Sequence, residues 1–347
     1  MLMKHEIMKS CNRTLILFLA IIFINNCTKI TPKIYKDKFV FLSNRESSKG
    51  NFDIFLSDLH DTNQINLTKD IQFIRSISKP ILSPNKRHVL YTSFNKNQKS
   101  LHLIDIETKE DIYLSDLKMD KAYASFIENG DKILFTKKIE KVMQLFTIDV
   151  NGQNEKNISS TDNDEYKAQI SSFNNILVFL RKVNKKTSIV IRDLRTKKED
   201  SVEVNGNYIN PSFNNDNKII YESFTKGSYK IFIYDIKTKK IEQVTTGDAN
   251  AHYPVFINDN QSLLFISDGR GKKFRDLCML NLKTKKHTFL SSDLNMINQN
   301  FDLSVDKNNV IFESIQFGNA EIYLYEINSK GIVNLSKNSA CDCQPSF

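Results

Sequence analysis

The sequence predicts an all-β chain folded as a single β-propeller of seven four-stranded blades, and three observations carry that prediction. One strand pattern recurs seven times at a near-constant period. The pieces flanking each copy repeat in the same order. Nothing beyond the N-terminal segment sustains a helical period. The recurring piece is an aromatic inside an aliphatic run, as in Phe39-Val40-Phe41-Leu42-Ser43 and Leu263-Leu264-Phe265-Ile266-Ser267. Its central residues are Phe41, Tyr91, Phe135, Phe179, Tyr221, Phe265 and Phe312, spaced by 50, 44, 44, 42, 44 and 47 residues. A period in the forties is the size of one four-stranded blade.

Each element of the repeat follows from its residues. A short first strand precedes the aromatic one, as in Lys79-Pro80-Ile81-Leu82, Asn210-Pro211-Ser212-Phe213 and Tyr253-Pro254-Val255-Phe256. The aromatic strand is the second. An alternating third strand ends in an acidic residue, as in Leu101-His102-Leu103-Ile104-Asp105 and Ile231-Phe232-Ile233-Tyr234-Asp235. Polar turns such as Lys237-Thr238-Lys239-Lys240 follow, and a short fourth strand ends near Leu67-Thr68, Val244-Thr245 or Leu335-Ser336. Period-2 runs of about five residues bounded by turns read as hairpin-connected strands. The first aromatic strand has no such partner before it, whereas the chain ends in Gln344-Pro345-Ser346-Phe347, which matches Asn210-Pro211-Ser212-Phe213. The C-terminus is therefore expected to supply the innermost strand of the first blade and close the ring, removing exposed β-edges.

The repeats resemble the TolB-type, WD-repeat-like propeller family, whose repeat reads roughly Pro-x-aromatic-Ser-Pro-Asp-Gly, an apolar strand ending in Ser, an Ile-Tyr-x-x-Asp strand and a closing Leu-Thr. The resemblance covers residues 39–347. It departs at the Pro-Asp-Gly hairpin, which here reads Pro84-Asn85-Lys86 or Asn258-Asp259-Asn260. Asn and Asp tolerate the left-handed backbone such turns need, so the fold survives the change. In that family the propeller binds a peptidoglycan-associated lipoprotein and a separate N-terminal α/β domain completes the protein. Here residues 27–38 alone separate the propeller from the N-terminal segment, so that partner does not carry over.

The N-terminus reads as an address. Lys4, Lys9 and Arg13 precede an apolar run from Leu15 to Ile24, and Asn25-Asn26-Cys27 follows. A basic segment followed by about ten apolar residues matches a secretory signal and is too short to span a bilayer. Cys27 resembles a bacterial lipoprotein box, with Asn26 where Gly or Ala is usual. The organisation expected is a signal peptide over 1–26, lipidation at Cys27, a tether over 27–38 and the propeller over 39–347, in the cell envelope on the periplasmic side of the outer membrane or at the cell surface. Such a compartment permits disulfides. Cys341-Asp342-Cys343 is too close-set for an unstrained bridge within itself, and a Cys278 bridge to either stays open.

Composition fits a globular chain: of its 347 residues, 40% are hydrophobic and 26% charged. The net charge of +9 favours anionic surfaces, but the lysines are spread along the chain as solubilising residues rather than massed in one block. Glycine-rich phosphate loops, Gly-x-Ser-x-Gly elbows and His-Glu-x-x-His helices are absent. Catalytic residues, metal and cofactor are accordingly not expected. The stretch Asp162-Asn163-Asp164-Glu165 offers oxygen ligands of the kind calcium takes, without the glycine and spacing of a dedicated loop. Sugar-acid lyases of propeller fold resemble this architecture and carry a His-based metal site. His252, at the entrance to a first strand, is the one well-placed histidine and reads as polar surface.

The expected partner-binding residues are Asp162, Asp164, Glu165, His252, Tyr253, Arg270, Lys272 and Lys273, all near loops that share one face. The leading expectation is a monomeric, non-enzymatic envelope lipoprotein. It would bind an envelope protein or an anionic envelope polymer, not nucleic acid, and would sit on the membrane through its lipid anchor. The alternatives are a propeller-fold carbohydrate lyase or hydrolase, and a surface adhesin.

Overall fold

The computed structural model describes residues 37–347 except 47–50, 61–62, 72–77, 96–97, 120–121, 172–174, 207–208, 214–216, 258–259, 272 and 295. Cys27, the signal segment and Lys272 lie outside the described residues. Among those described, seven four-stranded antiparallel sheets form the blades of a propeller. Blades 2 to 7 each take four consecutive strands, within 81–116, 125–157, 164–204, 212–243, 251–289 and 297–334. Blade 1 is composite: Asp342–Ser346 pairs with Lys38–Ser43, which leads to Asp53–Asp58 and Ile65–Asn66. The ring is therefore closed by the C-terminal strand in the innermost position, with Val40 opposite Ser346 and Leu42 opposite Cys343.

The aromatic strands make the core. Phe41, Tyr91, Phe135, Phe179, Tyr221, Phe265 and Phe312 are all buried. Their alternate neighbours face the adjoining blade, as where Leu90 and Leu101 of blade 2 pack with Ile133 and Phe135 of blade 3. Such contacts bury the second face that each sheet would otherwise expose.

Two local devices explain the repeated polar signatures. At the third-to-fourth turns, the side chain of Asp105, Asp193, Asp235 or Asn281 accepts the backbone N–H groups two and three residues on, at 2.7–3.1 Å. The following Lys109, Lys197, Lys239 and Lys285 are left-handed, with φ of 56–62°, so the Asp-x-x-Thr-Lys pattern encodes one five-residue turn. The closing Leu-Thr or Leu-Ser acts as a clasp. The hydroxyls of Thr68, Ser159, Thr245, Ser291 and Ser336 accept third-strand N–H groups at 2.8–3.0 Å. That satisfies a ladder donor where the short fourth strand has ended.

Candidate functional site

Antiparallel order places the starts of the first strands, the ends of the second strands and the second-to-third loops on one face. There, one residue lies at an equivalent position on or just before each first strand: Lys79, Tyr123, Lys167, Asn210, Tyr253, Asn300 and Gln344, spaced by 43–47 residues. The residue before each is aligned with the residue that follows the central aromatic. Cys343 lies opposite Leu42, Tyr166 opposite Leu180, His252 opposite Ile266 and Gln299 opposite Glu313, while the Ser78 N–H donates to Thr92 O and the Thr136 N–H to Ala122 O. Tyr123, Lys167, Tyr253, Asn300 and Gln344 have φ between 44 and 56°. The strand registers shift beside Lys167, Tyr253 and Asn300, the mark of a β-bulge, which re-aims side chains at strand ends.

Two buried carboxylates tie this ring together. Glu313 accepts Gln299 Nε2 at 2.6 Å, Asn300 Nδ2 at 2.8 Å and the Gln344 backbone N–H at 3.0 Å. Glu222 repeats the arrangement two blades away: it accepts Asn210 Nδ2 and the Tyr253 N–H (3.4 Å), and His252 Nδ1 lies 2.6 Å from its second oxygen. Lys167 extends the chain of contacts, donating to Ile209 O and Asn210 Oδ1, both at 2.9 Å. Its ammonium also lies over the Tyr123 ring at 5.6 Å.

The predicted site residues divide between structural and accessible roles. Glu165 is fully buried and holds Arg181 at 2.6 Å, while Arg192 links to Glu165 and to Glu199, the latter at 2.8 Å. Both guanidinium groups lie over the Phe179 ring, at 5.2 and 4.8 Å. Arg181, whose hydrogen bond is the largest influence, holds the Glu199 carboxyl down to about pKa 2, with Arg192 adding to the effect. Asp164 accepts the Met143 N–H at 2.9 Å, and Asp162 is exposed. Arg270 chelates the buried Asp276 with two 2.8 Å contacts, and Arg45 holds the buried Asp342 at 2.8 Å. Lys273 and Tyr253 are exposed.

The arginines of the basic loops are thus engaged by carboxylates of the same face. Among the described residues, no group of three or more His, Cys, Asp or Glu side chains is disposed to hold a metal ion. Cys278, Cys341 and Cys343 are free thiols, Cys278 being buried. Glu165 and His252 stand on blades 4 and 6, with blade 5 between them, so the predicted residues form separate clusters.

The feature that sequence reasoning missed is a cavity of about 800 Å³ opening at the channel beside blades 2 and 3. Lys79, Thr92, Phe94, Lys99 and Tyr123 line one side, and Asn300 and Gln344 reach it from blades 7 and 1. Ile81, Leu90 and Leu101 add apolar lining. A second cavity of about 230 Å³ lies against Asn210, Tyr253 and Asp302. The 43–47-residue spacing was the available signal for the ring, but its residue types differ from blade to blade.

No family model and no curated protein matches the sequence. Solved structures do match. TolB from Acinetobacter baumannii superposes with a TM-score of 0.56 at 13% identity over 90% of this chain and 67% of that one. An oligogalacturonate lyase in complex with manganese gives 0.62 at 14% identity, over 85% and 87%. A puromycin-hydrolysing peptidase from Mycobacterium tuberculosis gives 0.66 at 10% identity, over 87% of this chain and 54% of its own length. These likenesses carry the fold and nothing finer: the chain is a seven-bladed β-propeller of the architecture that TolB shares with lyases and peptidases.

Proposed function

We propose that the protein is a non-enzymatic envelope lipoprotein, anchored through Cys27, that binds a partner at the channel mouth of its propeller. The observation that supports binding over chemistry is the lining of the larger cavity. Its described residues offer ammonium, hydroxyl, amide and aromatic groups, but neither a carboxylate nor an imidazole for general acid–base work. A concave, mostly apolar site of this size with a few converging polar groups is what a ligand or a partner's anchor residue occupies. The arginine–carboxylate pairs of blades 1, 4 and 6 brace loops of the same face.

Two measurements test the proposal. Metabolic palmitate labelling is expected in the wild type and lost in Cys27→Ala; equal labelling of both ends the anchor claim. A photo-crosslinker placed at Tyr123 should capture one defined envelope component in cells, whereas one placed at Lys239, on the opposite face, should not. Capture at neither position, or equally at both, would defeat the binding assignment.

A further inference from the structure

The channel ring contains its own template for a ligand. In blades 5 and 7 the residue after the central aromatic is Glu, and its carboxylate bridges two fixed partners. One is the ring residue of the same blade (Asn210 or Asn300). The other is the backbone N–H of the left-handed ring residue of the next blade (Tyr253 or Gln344). In blade 2 the same position is Thr92. The equivalent partners are Lys79 on its own blade and the backbone N–H of Tyr123 on blade 3, with φ of 44° at Tyr123 against 56° and 52° at Tyr253 and Gln344. Thr92 lacks a carboxylate, and Lys79, Thr92 and Tyr123 all line the 800 Å³ cavity.

We infer that this cavity binds the carboxylate of an organic acid, which completes at blade 2 the bridge that Glu222 and Glu313 make within the protein. The setting suits an anion with an apolar body. Among the described residues, Lys79 and Lys99 give the lining two ammonium groups and no carboxylate, and Ile81, Leu90 and Leu101 form an apolar wall. Lys79 Nζ is 3.6 Å from Asp302 Oδ2, but that carboxylate faces the second cavity, and the pair is more than a third exposed on each side. A hydrogen bond from ammonium to carboxylate is charge-assisted, roughly twice as strong as a neutral one. The inference rests on the cavity being a binding site, not on where the protein resides or which envelope component it meets.

The test uses the purified full chain, titrated with N-acetyl-phenylalanine, its amide and a tetrapeptide ending in phenylalanine with a free carboxylate. The acids are expected to bind at least about tenfold more tightly than the amide, since a lost charge-assisted bond costs upwards of about 1.5 kcal/mol. If the tetrapeptide outranks the free acid, the carboxylate is that of a partner chain; the reverse order marks a small metabolite. Thr92→Glu should supply the missing carboxylate internally, leaving a folded protein with an undiminished melting temperature and at least tenfold weaker acid binding. Lys79→Met should weaken acid binding by a similar factor without changing the amide, and keeps the test intact should Thr92→Glu fail to fold. Acid and amide binding alike, no acid binding at millimolar concentrations, or a folded Thr92→Glu that binds acid as the wild type does would each overturn the inference. None of these results bears on the crosslinking outcome, so the two readings fail separately.

Discussion

Removing residues 344–347 tests ring closure directly. The deletion takes away Phe347, which is 8% exposed and meets the Phe39 ring edge-on at 6.4 Å. It removes the Gln344 N–H from Glu313 (3.0 Å) and the Ser346 hydroxyl from Asp302 (2.9 Å). Loss of a buried Phe side chain costs about 3 kcal/mol at the low end of its range. Each hydrogen bond to a carboxylate adds about 1.5 kcal/mol, so the deletion should cost about 6 kcal/mol. An unfolding entropy near 2.1 cal/mol/K per residue gives about 0.65 kcal/mol/K for a propeller of ~310 residues, and hence a fall in Tm of about 9 °C. Phe347→Ala alone should lower it by about 5 °C by the same scaling. The deletion also bares the inner edge of Lys38–Ser43, so concentration-dependent aggregation should accompany the loss of stability. Calorimetric or circular-dichroism melts of the three proteins decide the matter. A deletion that melts within about 1 °C of the wild type, against the entropy scale used above, would refute closure by this strand.

Three further outcomes follow from particular side chains. The Glu199 carboxyl is held at about 2, below its ordinary 4.5, chiefly by the hydrogen bond from Arg181. Its stabilisation is therefore complete above pH 4.5 and lost as pH falls toward 2. After allowance for solvent screening it amounts to about 1–2 kcal/mol, and acid denaturation of Arg181→Ala should lack that component. Burial lowers the Lys86 amine from 10.5 to about 8. The unfolded chain then binds more protons between pH 8 and 10.5, and stability should rise with pH across that window. Lys86→Met should be more stable than the wild type at pH 7 by about 1–2 kcal/mol, with the advantage gone by pH 10.5; a gap independent of pH would contradict the burial argument. Tyr253 adopts φ of 56° within a strand and is exposed. Tyr253→Gly should leave stability unchanged or raise it by up to about 1 kcal/mol in denaturant melts, and a clear loss would show that the ring packs against its core.

The propeller was legible because its determinants repeat. Seven buried aromatics, four strand pieces per period and a C-terminal copy of a first strand each gave a weak local signal that gained force by recurrence. The side-chain chemistry of the channel face was not legible, because it depends on which blade a residue meets. Nothing near Glu165 in sequence announces that Arg181 and Arg192 converge on it. Arg270 illustrates the point: chosen as a partner-facing cation, it spends its guanidinium on Asp276 six residues away, across a loop whose course the sequence does not state. The cavity was hidden for a related reason. The position after the central aromatic is Leu42, Thr92, Thr136, Leu180, Glu222, Ile266 and Glu313 around the ring. Such variation looks like noise until the inner strands show what each residue faces.

That variation bears on what the ring is for. Left-handed backbone costs a non-glycine residue on the order of 1–3 kcal/mol, and where only a turn is needed, Gly, Asn or Asp supplies it cheaply. This chain places lysines at several left-handed hairpin positions, Lys109 and Lys239 among them, and its left-handed ring positions include two tyrosines, a lysine and a glutamine. Their side chains are not interchangeable turn formers: Lys167 reaches Asn210, Tyr123 and Gln344 line the larger cavity, and Tyr253 lines the smaller. Five of the seven equivalent positions therefore share the left-handed backbone, while their side chains differ. Where a Glu stands behind them, as in blades 5 and 7, the ring is tied shut. Where Thr92 stands instead, the same geometry is left open, and selection for stability alone would have had a ready solution in the Glu used two blades away on one side and three on the other.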